Sequence, residues 1–313
     1  MTTKRKYKTL ILASDLNDFL LERSQLKLQV HSVFETSANL LAKDELITLA
    51  TNGRELMPMG CILDLRKIQE LNLKTEDVVF YKNESFQLPQ GEIICLQNAE
   101  IKNLNLKSFS ENHNAIDIAA LELIKRKLLE KDSGGIAHLV ACLPGTGEPD
   151  CTLNIYSRYI KQDLFLFMDF LKKRDYEAAG YLSERLIGFG PGLTPSCDDF
   201  LAGIILLLYY KEADNCFFQK IVSLASERTT TVSYHMLKNA AMGKAYESYL
   251  DLIRALSGKD LISLPAMVNR ILRFGASSGS DFLFGVYCAG LLIYERENAK
   301  VVNWKKSDTS KIS

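Results

Sequence analysis

The sequence carries no surplus of either charge: Lys and Arg number 38 and Asp and Glu number 38 in a chain of 313 residues. A balanced chain sets up no general field to draw in nucleic acid or an anionic membrane, so neither partner is expected. Histidine is scarce at four. His31, His113, His138 and His235 stand in no ligand spacing, which argues against a zinc site. The seven cysteines (61, 95, 142, 151, 197, 216 and 288) form no C-x-x-C pair and no disulfide framework. Their odd count in a chain of this size points to reduced thiols in a cytoplasm. Long apolar runs are also missing. The longest, Leu201 to Tyr210, falls well short of a membrane span. The basic start, Met1 to Lys8, is followed only by the short apolar run Thr9 to Ala13, which does not make a secretory signal. The expectation is a soluble cytoplasmic protein.

What is present is ordinary globular composition, 47% hydrophobic and 24% charged. The length exceeds one typical core and suggests two domains. From about Leu26 to Leu106 short apolar runs alternate with turn residues, at Leu46–Ala50, Cys61–Leu65, Val78–Tyr81, Ser85–Leu88, Ile93–Leu96 and Ile101–Leu106. Many short strands with turns between them predict a mostly antiparallel β domain, a barrel or a sandwich, over residues 1–110. A helix over Ser14 to Glu22 precedes it. Near Ser110 to Asn114 the period changes: Ile116, Ala119, Ala120, Leu123, Ile124 and Leu128 repeat near 3.6. Further helices are predicted over about Asn154–Lys173, Asp175–Ile187, Cys197–Tyr210, Asn215–Glu227, Val232–Ala245, Tyr246–Ser257, Leu261–Arg273 and Ser280–Glu295. The fold class is therefore α+β, with an all-α helical domain over residues 111–303 and a polar tail over 304–313.

One stretch inside the helical region stands apart: Leu186-Ile-Gly188-Phe-Gly190-Pro-Gly192-Leu-Thr194-Pro-Ser196-Cys-Asp198-Asp199-Phe-Leu-Ala-Gly203. Three glycines at alternate positions meet two prolines, two hydroxyls and a carboxylate pair. Glycine opens backbone conformations closed to other residues, and proline fixes the turn. Ser196 reads as a helix N-cap and Asp199 as its capping-box partner. The result is a rigid loop feeding the positive end of a buried helix, a geometry suited to a small anion. No Lys follows the glycines, so it is no nucleotide P-loop, and the spacing is not that of a dinucleotide fold. The stretch has an echo. Ser196-x-x-Asp199-Phe-Leu-x-Gly203 matches Ser278-x-x-Asp281-Phe-Leu-x-Gly285, which follows the small-residue turn Gly275 to Gly279. Two such helix starts facing one another would enclose one polar cavity.

At these residues the chain resembles a domain-of-unknown-function family that includes the AllH-type subunit of bacterial oxamate carbamoyltransferase. The glycine-rich stretch resembles its signature. His31-Ser-Val-Phe34 with Asn39-Leu40, Arg228-Thr-Thr230 with Ser233, Leu237-x-x-Ala240-Ala241-x-Gly243, and Gly275-x-Ser277-Ser278-Gly279-x-Asp281 resemble further segments in order. The resemblance implies carbamoyl transfer between carbamoyl phosphate and oxamate in allantoin breakdown, performed together with two other subunits. Cys197 stands where that family usually shows glycine, so a narrower pocket or a changed ligand is expected there.

Carbamoyl transfer needs hydrogen-bond donors twice, for the phosphate leaving group and for the oxyanion at the carbamoyl carbon. The N–H groups of Gly190, Gly192 and Leu193 and the hydroxyls of Thr194 and Ser196 are the candidates. Asp198 and Asp199 are assigned the proton-handling role. Ser277, Ser278 and Asp281 from the echo, and Thr230, join the binding set. Arg228 supplies the cation for an anionic substrate, with Arg185 as the alternative. His31 is included, against the plain alternative of a satisfied strand histidine. Cys197 lines the pocket without acting as a nucleophile, and Gly145-Thr146-Gly147 forms a turn nearby. No cofactor is required, although paired carboxylates with hydroxyls would also suit Mg²⁺. Rival readings are a non-catalytic assembly or metabolite-sensing subunit and, behind it, an ATP-dependent carboxylase-like or kinase-like enzyme.

Overall fold

Alternation of apolar and polar residues lays down the first part of the chain as strands. β2 (Gln25–Val33) buries Leu28 and Val30 and exposes Lys27 and Gln29. The computed structural model describes residues 5–106, 115–131, 134–143, 153–212, 215–257 and 261–309, with side chains through 298. By packing, the chain forms two units: Met1–Asn105 with Lys244–Leu250, and Leu106–Gly243 with Asp251–Ser313. The boundary expected at residue 110 falls outside the described residues, as do His113 and the Gly145-Thr146-Gly147 turn.

The first unit is an eight-stranded mixed barrel. Around it run β1 (Lys6–Ala13), β5 (Gly60–Leu63), β4 (Glu45–Thr51), β3 (Ser37–Ala42), β2, β6 (Val78–Lys82), β7 (Ser85–Gln87) and β8 (Ile93–Cys95). Most pairs are antiparallel, as expected. The exceptions include the parallel pair β4–β5 and the pairing of β1 with β8, which closes the ring. β9 (Glu100–Lys102) continues the same parallel edge of β1, Ile11 opposite Glu100. β1 is a strand the sequence reading did not include. Lys6-Tyr7-Lys8 gives it a basic start, but Tyr7 and Leu12 face the core and Lys6 pairs with Ile93, a partner 87 residues away in the chain. α1 (Ser14–Leu21) forms where predicted and buries Leu16 and Leu20, one turn apart. Lys244–Leu250 belongs to this unit, held by Lys244 on Asp15 and by Lys102 on Glu247 at 3.2 Å.

The second unit is helical. Its elements are α2 (Ile118–Glu130), a 3-10 turn (Ala137–Cys142), α3 (Ile155–Lys172), α4 (Tyr176–Leu182), α5 (Ser196–Lys211), α6 (Asn215–Arg228), α7 (Thr231–Ala240), the part of α8 (Glu247–Ala255) from Asp251 onward, α9 (Leu264–Ile271) and α10 (Ser278–Thr309). Several starts follow local capping chemistry. Asp117 accepts the Ala119 N–H, Asn154 the Ser157 N–H, Asp175 the Ala178 N–H and Thr230 the Ser233 N–H. Boundaries shift by a few residues from expectation. The predicted helix Asp175–Ile187 divides into α4 and a 3-10 turn (Ser183–Arg185), and α10 continues through Thr309 into the segment expected as a tail. Of the cysteines, 61, 95, 197, 216 and 288 are free, but Cys142 is disulfide-bonded, which corrects the expectation of reduced thiols throughout.

α5 lies at the centre of this unit. Every residue from Ser196 to Leu208 is buried, as befits a helix apolar on all sides beyond its first turn. α10 crosses it at two glycines. A Cβ on Gly203 would lie 2.3 Å from the Phe282 carbonyl oxygen, and one on Gly285 would lie 2.0 Å from the Phe200 carbonyl oxygen. The contact is reciprocal, each glycine receiving the backbone that the other's motif supplies. Phe200 and Phe284 pack beside the crossing with centroids 5.1 Å apart. Toward the far end of α5, Arg296 pairs with Glu212 at 2.5 Å and Tyr176 donates to the same carboxylate at 2.7 Å. The two helices are thus anchored beyond the crossing as well. Among the described residues no helix is long and apolar enough to cross a membrane.

Candidate functional site

The glycine loop before α5 has backbone geometry that its sequence demands. Gly188, Gly190 and Gly192 take φ of +79°, +119° and +97°, the left-handed side that disfavours side chains. At Gly188 space adds a second constraint, because a Cβ would meet the Arg228 carbonyl oxygen at 2.2 Å. The loop's exits are secured. Phe189 accepts the Cys197 N–H at 3.0 Å, and Pro195 accepts the N–H groups of Asp198 and Asp199. Between them the N–H groups of Gly190, Gly192, Leu193 and Thr194 find no acceptor among the described residues, on a segment where Pro191, Gly192 and Leu193 are exposed.

Pro195, not Ser196, occupies the N-cap of α5, and no side chain caps the helix. The expected Ser196–Asp199 capping box is therefore absent. The physical reason is tertiary. Ser196 sits inside the first turn with its hydroxyl directed to Asp281 of α10, near enough to favour that carboxylate but without a closed hydrogen bond. Asp199 turns toward Ser278 and Thr194, and its Oδ2 is left unpartnered.

Asp198 has a different role. It is wholly buried, and both its oxygens are partnered: Oδ1 accepts the Gly188 N–H at 2.8 Å, while Oδ2 accepts the Ser233 hydroxyl at 2.6 Å and the Thr229 hydroxyl. The adjoining residues of the Arg-Thr-Thr motif fasten to the same stretch. Thr230 donates to the Leu193 carbonyl and Arg228 pairs with Glu184. The motif acts as a buckle that closes the loop. Burial raises the Asp198 pKa, and the three hydrogen bonds oppose that shift.

The two helix starts do come together. Thr194 Oγ1 and Ser278 Oγ are 2.9 Å apart and both residues are half-buried, so two hydroxyls join the starts near the loop. Beneath them Asp199 is 2% exposed and Asp281 wholly buried. Asp281 Oδ1 accepts the N–H groups of Ile136 at 2.8 Å and Ala137 at 2.9 Å, and Ser277 adds a hydroxyl. Burial lifts Asp281 to about 6, and burial followed by the Asp281 charge lifts Asp199 well above the carboxylate range. Among the described residues, Ser196 Oγ, Asp199 Oδ2, Ser280 Oγ and Asp281 Oδ2 are all buried without a partner. Natively folded chains leave few such groups, and a cluster of them marks a place that a ligand or water completes.

The family models match the two segments that carry this architecture. One, described as oxamate carbamoyltransferase subunit AllH, covers residues 186–290, from the glycine loop to α10; the other, the AllH family N-terminal domain, covers residues 8–102, the barrel. The chain belongs to the AllH family. No solved structure matches it. The family segment thus begins just ahead of Gly188, includes Arg228–Thr230, and ends beyond the crossing at Gly285. Three of the features it spans, the loop, the buckle and the glycine crossing, support one another physically.

Not every expected site residue of this AllH-family chain joins that cluster. His31 belongs to the barrel unit, at the β2 register shift, where its Nδ1 lies 3.2 Å from the Ser32 hydroxyl. Ser32 in turn accepts from Asn39, which accepts from Thr48. Arg185 and Arg228 stand on the outer side of the loop, facing an open cleft of about 1090 Å³ shared with Tyr159, Tyr181 and Phe189. Each arginine is already paired, Arg185 with Asp163 at 3.0 Å. Cys197 is buried and its thiol is raised well above the usual value, first by burial and then by Asp198 and Asp281, so it is no nucleophile. Sequence reasoning missed the Ile136 and Ala137 N–H groups altogether. No local pattern marks them, since their partner Asp281 lies about 145 residues away.

Proposed function

We propose that this chain is a carbamoyltransferase subunit whose helical unit holds a small anionic substrate, carbamoyl phosphate or an oxamate-like carboxylate, on the Gly190–Thr194 loop. The observation that carries this reading is the row of unpartnered N–H groups on a loop whose conformation Asp198, Thr229 and Thr230 lock from behind. Such a row, at the positive end of a buried helix, accepts phosphate or carboxylate oxygens without reorganising. The Thr194 and Ser278 hydroxyls lie beside it and can orient a leaving phosphate or stabilise the oxyanion at the carbamoyl carbon. In this reading Asp198 is a positioning residue, since it is wholly buried and both its oxygens are engaged by Gly188, Thr229 and Ser233. The description of the family as a subunit supports further subunits as partners.

Thermal-shift titrations with carbamoyl phosphate, oxamate, inorganic phosphate and ATP test the reading, on the chain alone and with its partner subunits. Stabilisation by carbamoyl phosphate or oxamate that disappears in Thr194→Val supports it. If neither ligand shifts the transition in either preparation, the anion site is wrong; a shift with ATP alone would favour a kinase-like activity.

A further inference from the structure

The starts of α5 and α10 bury two carboxyl groups, Asp199 and Asp281, close enough for the charge of one to act on the other. Among the described residues no Lys, Arg or His pairs with Asp199 or Asp281; the charges acting on Asp199 are those of Asp281 and Asp198. Two adjacent carboxylates cannot both ionise cheaply out of water. Their surroundings are also unequal. Asp281 receives two backbone N–H groups and faces the Ser196 and Ser277 hydroxyls, all of which favour its charged form. Among the described residues Asp199 faces the half-buried hydroxyls of Ser278 and Thr194 and no backbone N–H, so its charged form is favoured by fewer donors. Each acid keeps one Oδ2 without a partner.

We propose that Asp199 and Asp281 act as one acid–base unit that holds a single proton, carried by Asp199, and exchanges it with the ligand loop through the Thr194–Ser278 hydroxyl pair. Asp281, ionised, keeps that proton in place and is itself held by the Ile136 and Ala137 amides. The directions of the two titrations agree, with Asp281 at about 6 and Asp199 well above it. The use of the proton rests on the carbamoyl-transfer reading. As the acceptor's amide nitrogen attacks, the new N–C bond forms and the C–O bond to phosphate breaks. The nitrogen's proton passes through a hydroxyl to the pair, and the pair returns a proton to the departing phosphate oxygen. The pair ends the cycle as it began, and no further reactant is needed.

Infrared spectra of the full chain, labelled with ¹³C-aspartate and recorded without ligand, test the proton itself. A protonated-carboxyl band present at neutral pH, lost in Asp199→Asn and titrating at lower pH in Asp281→Asn, is the expected result. No such band, or one indifferent to either substitution, overturns the pair. The spectrum needs no substrate, so a chain that shows the band yet binds no carbamoyl phosphate refutes the transfer reading and leaves the acid pair standing. In the assembled enzyme, Asp199→Asn should lower kcat roughly 10²-fold with KM little changed. Ser278→Ala, which keeps both acids, should retain the band while flattening the pH dependence of kcat. Unchanged turnover in Asp199→Asn, or an unchanged pH profile in Ser278→Ala, would show that the proton takes no part in the reaction.

Discussion

The starts of α5 and α10 share the pattern Ser-x-x-Asp-Phe-Leu-x-Gly yet are used differently. Their distal halves are equivalent, since Gly203 and Gly285 exchange backbone contacts across the crossing. Their proximal halves diverge. α5 is preceded by an exposed loop with free N–H groups and carries the additional Asp198 clamp, whereas Asp281 of α10 spends Oδ1 on Ile136 and Ala137. The lesson is that a repeated motif can preserve its packing contacts while its polar ends take up separate tasks, one presenting a loop and the other bracing a neighbouring segment.

The largest effect should come from the shared half. Gly203→Ala and Gly285→Ala each drive a methyl into a backbone carbonyl, and both should cost about 5 kcal/mol or more by denaturant unfolding. A large loss in one and none in the other would break the equivalence of the two starts. Next is the α5-specific clamp. Asp198→Ala strands the Gly188 N–H and the Thr229 and Ser233 hydroxyls, and should cost about 4 kcal/mol, whereas Asp199→Asn should alter stability by about 1 kcal/mol at most. Equal losses from both would erase the distinction between the neighbouring aspartates.

The α10-specific acid can be read through pH. Because the folded pKa of Asp281 lies above its unfolded value, its contribution to stability is fully present below the ordinary carboxylate range and is lost as pH rises through about 6. That contribution is about 3 kcal/mol across the window, and Asp281→Asn should flatten the slope there. A chain whose stability rises through the same interval would contradict this. The smallest effect falls on the loop. At Gly192 a Cβ makes only ordinary contact, 3.8 Å from the Thr194 carbonyl oxygen, so Gly192→Ala should cost only about 1 kcal/mol, for the φ of +97°, while weakening the thermal shift with carbamoyl phosphate.

Much of this architecture was readable along the chain, for reasons that stay local. Strand alternation in Leu26 to Leu106, the 3.6-residue period from Ile116 to Leu128, and the three alternate glycines each act over a few residues. The sequence by itself therefore determined the β-then-α order, the helix starts, the loop's unusual backbone and the echo at Ser278. Only the tertiary structure decided that β1 closes the barrel, that Asp198 is a satisfied clamp, and that Ser196 serves the facing helix instead of capping its own. In each case the deciding partner lies far off in sequence: Ile93 for Lys6, Ser233 for Asp198, Asp281 for Ser196. A side chain's chemistry is written in the chain, but whether its lone pairs are filled or left open depends on what packing brings beside it.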